Sequence, residues 1–214
     1  MAANGTTIGF DRKVRGDWLS AVALRHAEGM THVELRRFAH RMLGAVYPDD
    51  QARDKTLTVI FHLWVNVPKR AVALRDAAES LLLSNPGPGA HLALHWGLGI
   101  ATYPFFYDMA NSAGHLLAME HSVWLAELRR PLGARWGQGP TATRAAERIV
   151  NSWVDWGALR ETDARGIYAG PRRVPLSGEL ASWMAEAVRL GRDAELPACG
   201  ARASPALFPF ELRG

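Results

Sequence analysis

Cysteine is nearly absent from this sequence, which has one, Cys199, among its 214 residues. One cysteine excludes an intrachain disulfide and is too few for a zinc ribbon. Long apolar runs are missing too, because the most apolar stretches, residues 57–67 and 92–106, are short or interrupted by histidine and polar side chains. The N-terminus lacks the apolar centre of a secretory signal peptide. These absences predict a cytoplasmic protein without a membrane-spanning segment.

The short motifs of common enzyme active sites are also missing. The sequence contains no GxGxxG, no Walker loop and no GxSxG, so it does not predict a nucleotide cradle or an activated serine. The best candidate for a metal site is the pair His91 and His95, which would share a helical face, with His115, Glu120 and His121 as further ligands. Because no HExxH is present and apolar residues surround His95, a core histidine is favoured. We therefore predict a non-catalytic protein with no cofactor and no metal.

The chain does have the composition of a globular protein, with 48% hydrophobic residues, 21% charged residues and eight tryptophans. Its formal net charge is +4, and the excess is concentrated. Residues 122–175 carry nine basic and five acidic side chains, whereas residues 1–121 carry 12 and 11 and residues 176–214 carry four and five. A local positive excess permits an anionic partner. Arginine greatly outnumbers lysine, a bias that a GC-rich genome also produces.

Apolar side chains recur at helical spacing along most of the chain. Thr31 and Glu34 form a capping box that begins the second helix. Pro104 interrupts the helical pattern between two later helices. Residues 1–10 are predicted to be disordered, and the apolar C-terminal end is predicted to dock on the body. Helices are predicted over residues 17–28, 31–47, 55–65, 71–83, 91–102, 105–119 and 180–191, and the β-branched residues in 55–65 leave a strand open there.

Residues 122–170 predict a winged helix-turn-helix. The pattern is a helix over 122–137, a tight Gly/Pro turn, a second helix within the segment 141–159 and a hairpin that pairs 158–162 with 167–169. Thr141 is predicted to cap the second helix and Gly157 to end it. The same order of elements also occurs as mere scaffold, in winged helices that contact protein subunits.

The second helix of such a domain enters the major groove of DNA, and the wing contacts the flanking backbone. Arg144, Arg148 and Asn151 lie at i, i+4 and i+7, so they share an outward face that can reach phosphates and base edges. Glu147 and Asp155 lie nearby and oppose an anionic partner. The predicted DNA-binding residues are Thr141, Thr143, Arg144, Arg148 and Asn151 on the helix, Arg165 at the wing tip, and Arg172 and Arg173 after the wing.

Trp153 and Trp156 are the other residues in this segment that could contact nucleic acid, by stacking on bases. Trp153 is predicted to be core, and Trp156 is left open between the two roles. Asp108, which follows a run of aromatic residues, is predicted to bond a helix end or an arginine.

Three stretches resemble the A component of BREX phage-resistance systems, and the winged segment resembles winged-helix DNA-binding domains. The stretches are RGDWLSAVALRHAEGMTHVELRRFAHRML, ALHWGLGIATYPFFYDMANSAGHLL and SPALFPFEL. The resemblance implies a DNA-binding accessory protein of antiviral defence that is not an enzyme, and it carries no functional residue over by position.

The sequence as a whole predicts a mainly α protein with a helical N-terminal bundle, a winged helix-turn-helix with a small β-hairpin wing, and a C-terminal helix. The predicted boundaries are a helical domain at 1–90, the winged region at 91–175, and the C-terminal helix with a docked tail at 176–214. The predicted partner is double-stranded DNA, with other defence subunits and a homodimer through residues 180–188 as further predictions. The alternatives are a protein-interaction subunit of a larger complex, a plain transcriptional regulator, and an enzyme or metal protein built on the helical half.

Overall fold

The computed structural model describes residues 8–85, 87–192 and 198–213, except the side chains of residues 198 and 199. Most of these residues are helical, which confirms the predicted mainly α class. The helices are α1 Gly16–Ala27, α2 His32–Gly44, α3 Asp50–Trp64, α4 Val72–Ser84, α5 Pro88–Thr102, α6 Pro104–Glu120, α7 Leu125–Arg129, α8 Gly133–Trp136, α9 Pro140–Asp155, α10 Gly178–Gly191 and α11 Ala198–Arg202. The strands are β1 Ser122–Trp124, β2 Arg160–Glu161, β3 Ile167–Ala169, β4 Val174–Leu176 and β5 Phe210–Leu212.

Helix α5 lies at the centre of the molecule. Every residue from Leu92 to Thr102 is buried, as expected for a helix that is apolar on all sides. Helix α10 crosses it closely, because a Cβ atom at Gly97 would lie 2.4 Å from the Trp183 ring. The apolar face of α10 therefore packs against the core of its own chain. The homodimer predicted through this helix stays a prediction.

The N-terminal helices α1, α3 and α4 pack against α5, although the sequence predicts a separate region for them. The capping box of α2 is present, with the Thr31 side chain accepting from the Glu34 backbone N–H and the Glu34 side chain accepting in return. Residues 55–64 lie in α3 and Val65 is its C-cap, so the helical prediction for this stretch is confirmed and the strand is excluded. Helix α6 begins at Pro104, where the predicted break occurs.

Two small sheets complete the fold. The first has the strand order β1-β3-β2, all antiparallel, with Ser122 opposite Ala169 and Arg160 opposite Ala169 on the other side. The second pairs β4 with β5 in parallel, joining the chain after β3 to the C-terminal end. The β1–β3 and β4–β5 pairings join residues that are distant in sequence, whereas β2 and β3 form a local hairpin.

The predicted helix over 122–137 is wrong. Residues 122–124 form β1, and the helical part is broken into α7, a 3₁₀ turn at Arg130–Leu132 and α8. Gly137, at φ 74°, ends α8. A three-residue strand flanked by helical residues has too short an alternation to be recognised from sequence, and its pairing with β3 decides its conformation.

The predicted start of the second helix also needs correction. Helix α9 begins at Pro140 with Gly139 as its N-cap, and no side chain caps it, so Thr141 is not the cap. The helix ends at Asp155, and Gly157 follows it at φ 77° as predicted. Proline is favoured at the first helical position because its missing N–H would have no partner there.

The two chain ends differ in outcome. The predicted disorder of residues 1–7 lies outside the described residues, but for residues 8–10 it is wrong, because Phe10 is fully buried and packs edge-on against Tyr103 with ring centroids 5.3 Å apart. The predicted docking of the C-terminal end is confirmed. Phe208 and Phe210 are buried, and the Trp96 indole N–H donates to the Ala206 carbonyl at 2.9 Å.

One cluster of buried side chains runs through all three predicted regions of the chain. Its centre is aromatic, with Trp96 in ring contact with Phe106, Trp153 and Phe208 at centroid distances of 5.2, 5.0 and 5.1 Å. The domain boundaries predicted at residues 90 and 175 stay predictions.

Among the described helices, none has both the length and the apolar character needed to cross a membrane.

Candidate nucleic-acid interface

Helix α9 has two opposite faces. Its inner face is buried against the core through Ala145, Ala146, Ile149, Val150 and Trp153. The outer face leaves Thr141, Arg144, Glu147 and Arg148 exposed, while Asn151 is half-buried on the same side. The predicted groove-facing residues of this helix are therefore brought together on one accessible surface.

Arg144 and Arg148 make no ion pair or hydrogen bond with the described part of the chain, where other arginines such as Arg36 and Arg189 pair with carboxylates. Two like charges at i, i+4 repel each other slightly and do not help the helix. Their guanidinium groups remain free to bind an external acceptor such as a phosphate.

The two acidic residues near this face differ, because Asp155 has a hydrogen-bond partner and Glu147 has none among the described residues. Asp155 accepts a hydrogen bond from the backbone N–H of Gly16 at 2.8 Å, at the C-terminal end of α9. Glu147 lies near Tyr168 of β3, and its charge contributes, after burial and Glu161, to raising the pKa of the Tyr168 phenol. Glu147 has no hydrogen bond or ion pair among the described residues, so it remains an exposed negative charge on the same face as Arg144 and Arg148.

The threonines at the start of α9 differ from each other. Thr141 is exposed in the first turn. Thr143 is half-buried, and its hydroxyl donates to the Gly139 carbonyl at 3.2 Å, so its donor is already used within the helix. Of the two, Thr141 is the one whose exposed hydroxyl has no hydrogen-bond partner among the described residues.

The β2–β3 hairpin carries Arg165 exposed in its turn, as predicted. The hairpin turn lies beside the start of α7, because the Leu125 N–H donates to the Gly166 carbonyl at 3.1 Å. Trp124, opposite Ile167 in the sheet, is 52% exposed and is therefore next to this turn. Sequence reasoning missed Trp124, because residues 122–124 were predicted to be helical and their strand alternation was not considered.

Arg172 and Arg173 are both exposed in the segment that follows β3. Arg173 lies in a different surface region from the hairpin turn. Arg173 lines a cleft between α6, the end of β3 and the C-terminal segment, and no residue of α9 lines that cleft. Arg160 and Arg202, which the sequence did not single out, line the same cleft. They are brought together only by the tertiary fold.

Neither tryptophan at the end of α9 is available for stacking on bases. Trp153 is fully buried, as predicted. Trp156 is 8% exposed, and its indole N–H donates to the Val14 carbonyl at 2.9 Å. The open question about Trp156 is therefore decided in favour of the core.

The histidine pair at 91 and 95 belongs to a chain of hydrogen bonds. The Trp64 indole N–H donates to His95 Nδ1 at 3.1 Å, so the proton of this ring lies on Nε2, which donates to Ser20 Oγ at 2.9 Å. The Ser20 hydroxyl can then donate to His91 Nδ1, also at 2.9 Å. Burial, aided by His91, lowers the pKa of His95 to about 3, and burial lowers the pKa of His91.

This network uses the ring nitrogens that a metal would need. Both His95 nitrogens and His91 Nδ1 have partners, so a metal bound by the pair would have to break it. The described residues contain no group of three or more His, Cys, Asp or Glu side chains placed to hold a metal ion.

Asp108 accepts a hydrogen bond from the Trp136 indole N–H at 2.7 Å and another from Arg135 at 3.1 Å. These bonds join α8 to α6 and confirm the predicted bond to an arginine.

Comparison with protein-family models, curated proteins and solved structures gives no match to this chain.

Proposed function

We propose that this protein binds double-stranded DNA through a winged helix-turn-helix formed by residues 104–169. Helix α9 is the recognition helix, and the β2–β3 hairpin is the wing. The observation that carries the proposal is the outer face of α9, where Arg144 and Arg148 are exposed and have no partner among the described residues.

The order of elements supports this assignment. Helix α6 is followed by β1, the helical segment α7–α8, a Gly/Pro turn, α9 and the hairpin, and β3 lies between β1 and β2 in an antiparallel sheet. A winged domain needs a helix that braces the recognition helix and a hairpin beside it. Asp108 on α6 holds α8 through Arg135 and Trp136, which stiffens the brace before α9.

The surface next to the recognition helix supports the same function. Arg165 in the wing turn supplies a cation for the flanking phosphate backbone. Trp124 beside that turn adds an exposed ring that can pack on a sugar or a base edge. Asn151, half-buried on the groove face of α9, has an amide able to hydrogen-bond a base.

The test is the affinity of the full chain for duplex DNA across a salt series. A basic interface releases counterions, so log affinity should fall linearly with log salt concentration. Arg144→Ala with Arg148→Ala should weaken binding by about 10-fold to 100-fold and flatten the salt slope by about two. Circular dichroism checks that the variant remains folded, which is expected because both side chains are exposed.

Helix α2 offers a matched control. Arg37 and Arg41 are also exposed arginines at i, i+4 with no ion pair to a described residue. Arg37→Ala with Arg41→Ala removes the same charge and should leave DNA affinity nearly unchanged. Equal losses in both double variants, or binding that does not respond to salt, would contradict the assignment of α9.

The proposed biological setting is antiviral defence, on the resemblance to the BREX A component. The discriminating observation is the set of neighbouring genes. A methyltransferase and an ATPase beside this gene support the defence role, whereas an isolated gene favours a plain transcriptional regulator.

A further inference from the structure

A cleft of about 710 Å³ opens between the C-terminal half of α6, the chain after β3 and the C-terminal segment. Its walls are in close contact at glycines. A Cβ atom at Gly114 would lie 1.9 Å from the Pro205 carbonyl oxygen, and one at Gly170 would lie 3.2 Å from Leu117. The cleft walls are therefore closely packed, against backbone at Gly114 and against the Leu117 side chain at Gly170. The cleft volume lies within the range of small-molecule sites, about 300–1,000 Å³.

Three arginines from separate elements line this cleft: Arg160 of β2, Arg173 before β4 and Arg202 at the end of α11. Arg160 donates to the Gly170 carbonyl through Nε and Nη2 at 3.3 and 3.2 Å, which orients its guanidinium group and leaves other N–H groups unused. Arg173 and Arg202 make no hydrogen bond or ion pair with the described residues.

The negative charge around the cleft is small. Among the described residues, Glu211 is the acidic side chain that lines it, and Glu211 is engaged by Arg213 at 3.4 Å. Two exposed histidines, His115 and His121, add further nitrogen groups to the lining. Three guanidinium groups against one paired carboxylate make a site for an anion with more than one charge.

We propose that this cleft binds a small, multiply charged phosphate compound, such as a pyrophosphate or nucleoside diphosphate group. Arginine presents a planar fork of donors that matches phosphate oxygens in pairs, and three such forks exceed what a single carboxylate requires. Leu117, Phe208 and Leu212 form an apolar wall in the same cleft, against which the organic part of the ligand can lie. This site is separate from the proposed DNA interface on α9.

The probes are inorganic pyrophosphate and ADP, titrated into the full chain by calorimetry at low and at physiological ionic strength. Saturable binding with one site per chain is expected. Arg173→Gln and Arg202→Gln should each weaken it about 10-fold or more, as for loss of a charge-assisted hydrogen bond. Ala118→Glu, at an exposed cleft position on α6, should weaken it without removing an arginine. Arg37→Gln with Arg41→Gln on α2 is the matched control and should have no effect.

Absence of saturable binding overturns the proposal, as does binding that survives both cleft variants or falls equally in the control. The same variants are assayed for duplex DNA to distinguish the source of the phosphate. If Arg173→Gln and Arg202→Gln weaken DNA binding while pyrophosphate and ADP do not bind, the cleft holds the DNA backbone and the proposal is wrong. A chain that binds pyrophosphate in the cleft but binds no DNA refutes only the function proposed for α9.

Discussion

His95 is a buried polar side chain whose hydrogen bonds are all made within the protein. It is buried in an apolar helix, yet both its ring nitrogens are hydrogen-bonded, one to Trp64 and one to Ser20. A buried polar group that is fully partnered costs little, whereas one that loses a partner is expensive. The neutral ring is the form that fits this arrangement, because protonation of Nδ1 would set two donors against each other.

This requirement predicts an acid-sensitive stability. An unfolded His95 takes up its proton near the usual pKa of 6.5, whereas burial holds the pKa of the folded residue at about 3. Between these values the unfolded state binds the additional proton, so the stabilisation is complete above about pH 6.5 and is lost as pH falls. Chemical denaturation at a series of pH values should show a decrease of up to about 1.4 kcal/mol per pH unit from this residue.

His95→Gln is the control for this prediction, because glutamine keeps a donor and an acceptor but does not titrate. The variant should start less stable and show a shallower loss between pH 6.5 and 5, above the range where most carboxylates titrate. Equal slopes in the two proteins would show that His95 does not carry the effect.

Gly114 is a second residue whose identity is demanded by its surroundings. The Pro205 carbonyl approaches α6 so closely that a Cβ would lie 1.9 Å from its oxygen. Gly114→Ala should destabilise the protein by about 1–3 kcal/mol in thermal unfolding, because the backbone must move apart. Gly44→Ala, also helical but with its nearest neighbour Arg53 Nη1 at 3.6 Å, should be neutral or slightly stabilising. A similar effect of the two substitutions would contradict the close approach.

At the scale of elements, the hairpin and α9 have different supports. Helix α9 is held by a continuous buried face, whereas the turn of the hairpin is exposed and joined to α7 by the Leu125–Gly166 backbone hydrogen bond. The hairpin can therefore lose a tip side chain without loss of the fold. This separates its contribution to binding from its contribution to stability.

Arg165→Ala tests the hairpin. DNA affinity should fall uniformly across sequences, and the salt slope should decrease by about one, because one phosphate contact is lost. The melting temperature should hardly change, since the side chain is exposed. An unchanged salt slope would mean that the hairpin does not contact DNA. The proposed DNA binding would then involve α9 but not the wing.

At the scale of the whole molecule, the N-terminal segment joins the helical bundle to α9. Three contacts bring residues 10–16 to the end of that helix: the Val14 N–H donates to Ser152 Oγ at 2.8 Å, Gly16 N–H to Asp155, and the Trp156 indole to the Val14 carbonyl. With the continuous buried cluster, these contacts couple the proposed recognition helix to the rest of the chain.

This coupling predicts one cooperative unfolding transition for the part of the chain that the structure describes. Trp156→Phe should lower the free energy of unfolding by about 1–3 kcal/mol, because the buried Val14 carbonyl loses its donor, and the single transition should shift as a whole. Trp124→Phe is the matched control, since Trp124 is 52% exposed and should tolerate the change. Two separate transitions in calorimetry would contradict the coupling.

The sequence alone determined the features that depend on local spacing. Helical periodicity predicted α2, α3, α5 and α10, and the capping box of Thr31 and Glu34 predicted where α2 begins. The outward positions of Arg144 and Arg148 followed from the same periodicity, because one side of α9 is apolar at every turn. Such features need only neighbours within a few residues, so they can be predicted without the fold.

The tertiary structure alone decided what depends on distant partners. Strand β1 exists because it pairs with β3 some 40 residues later, a contact that no local pattern of three residues can specify. Phe10 is buried because Tyr103 and Trp156 pack around it. The cleft of Arg160, Arg173 and Arg202 is assembled from three elements, so its charge could be counted in the sequence but its shape could not be predicted.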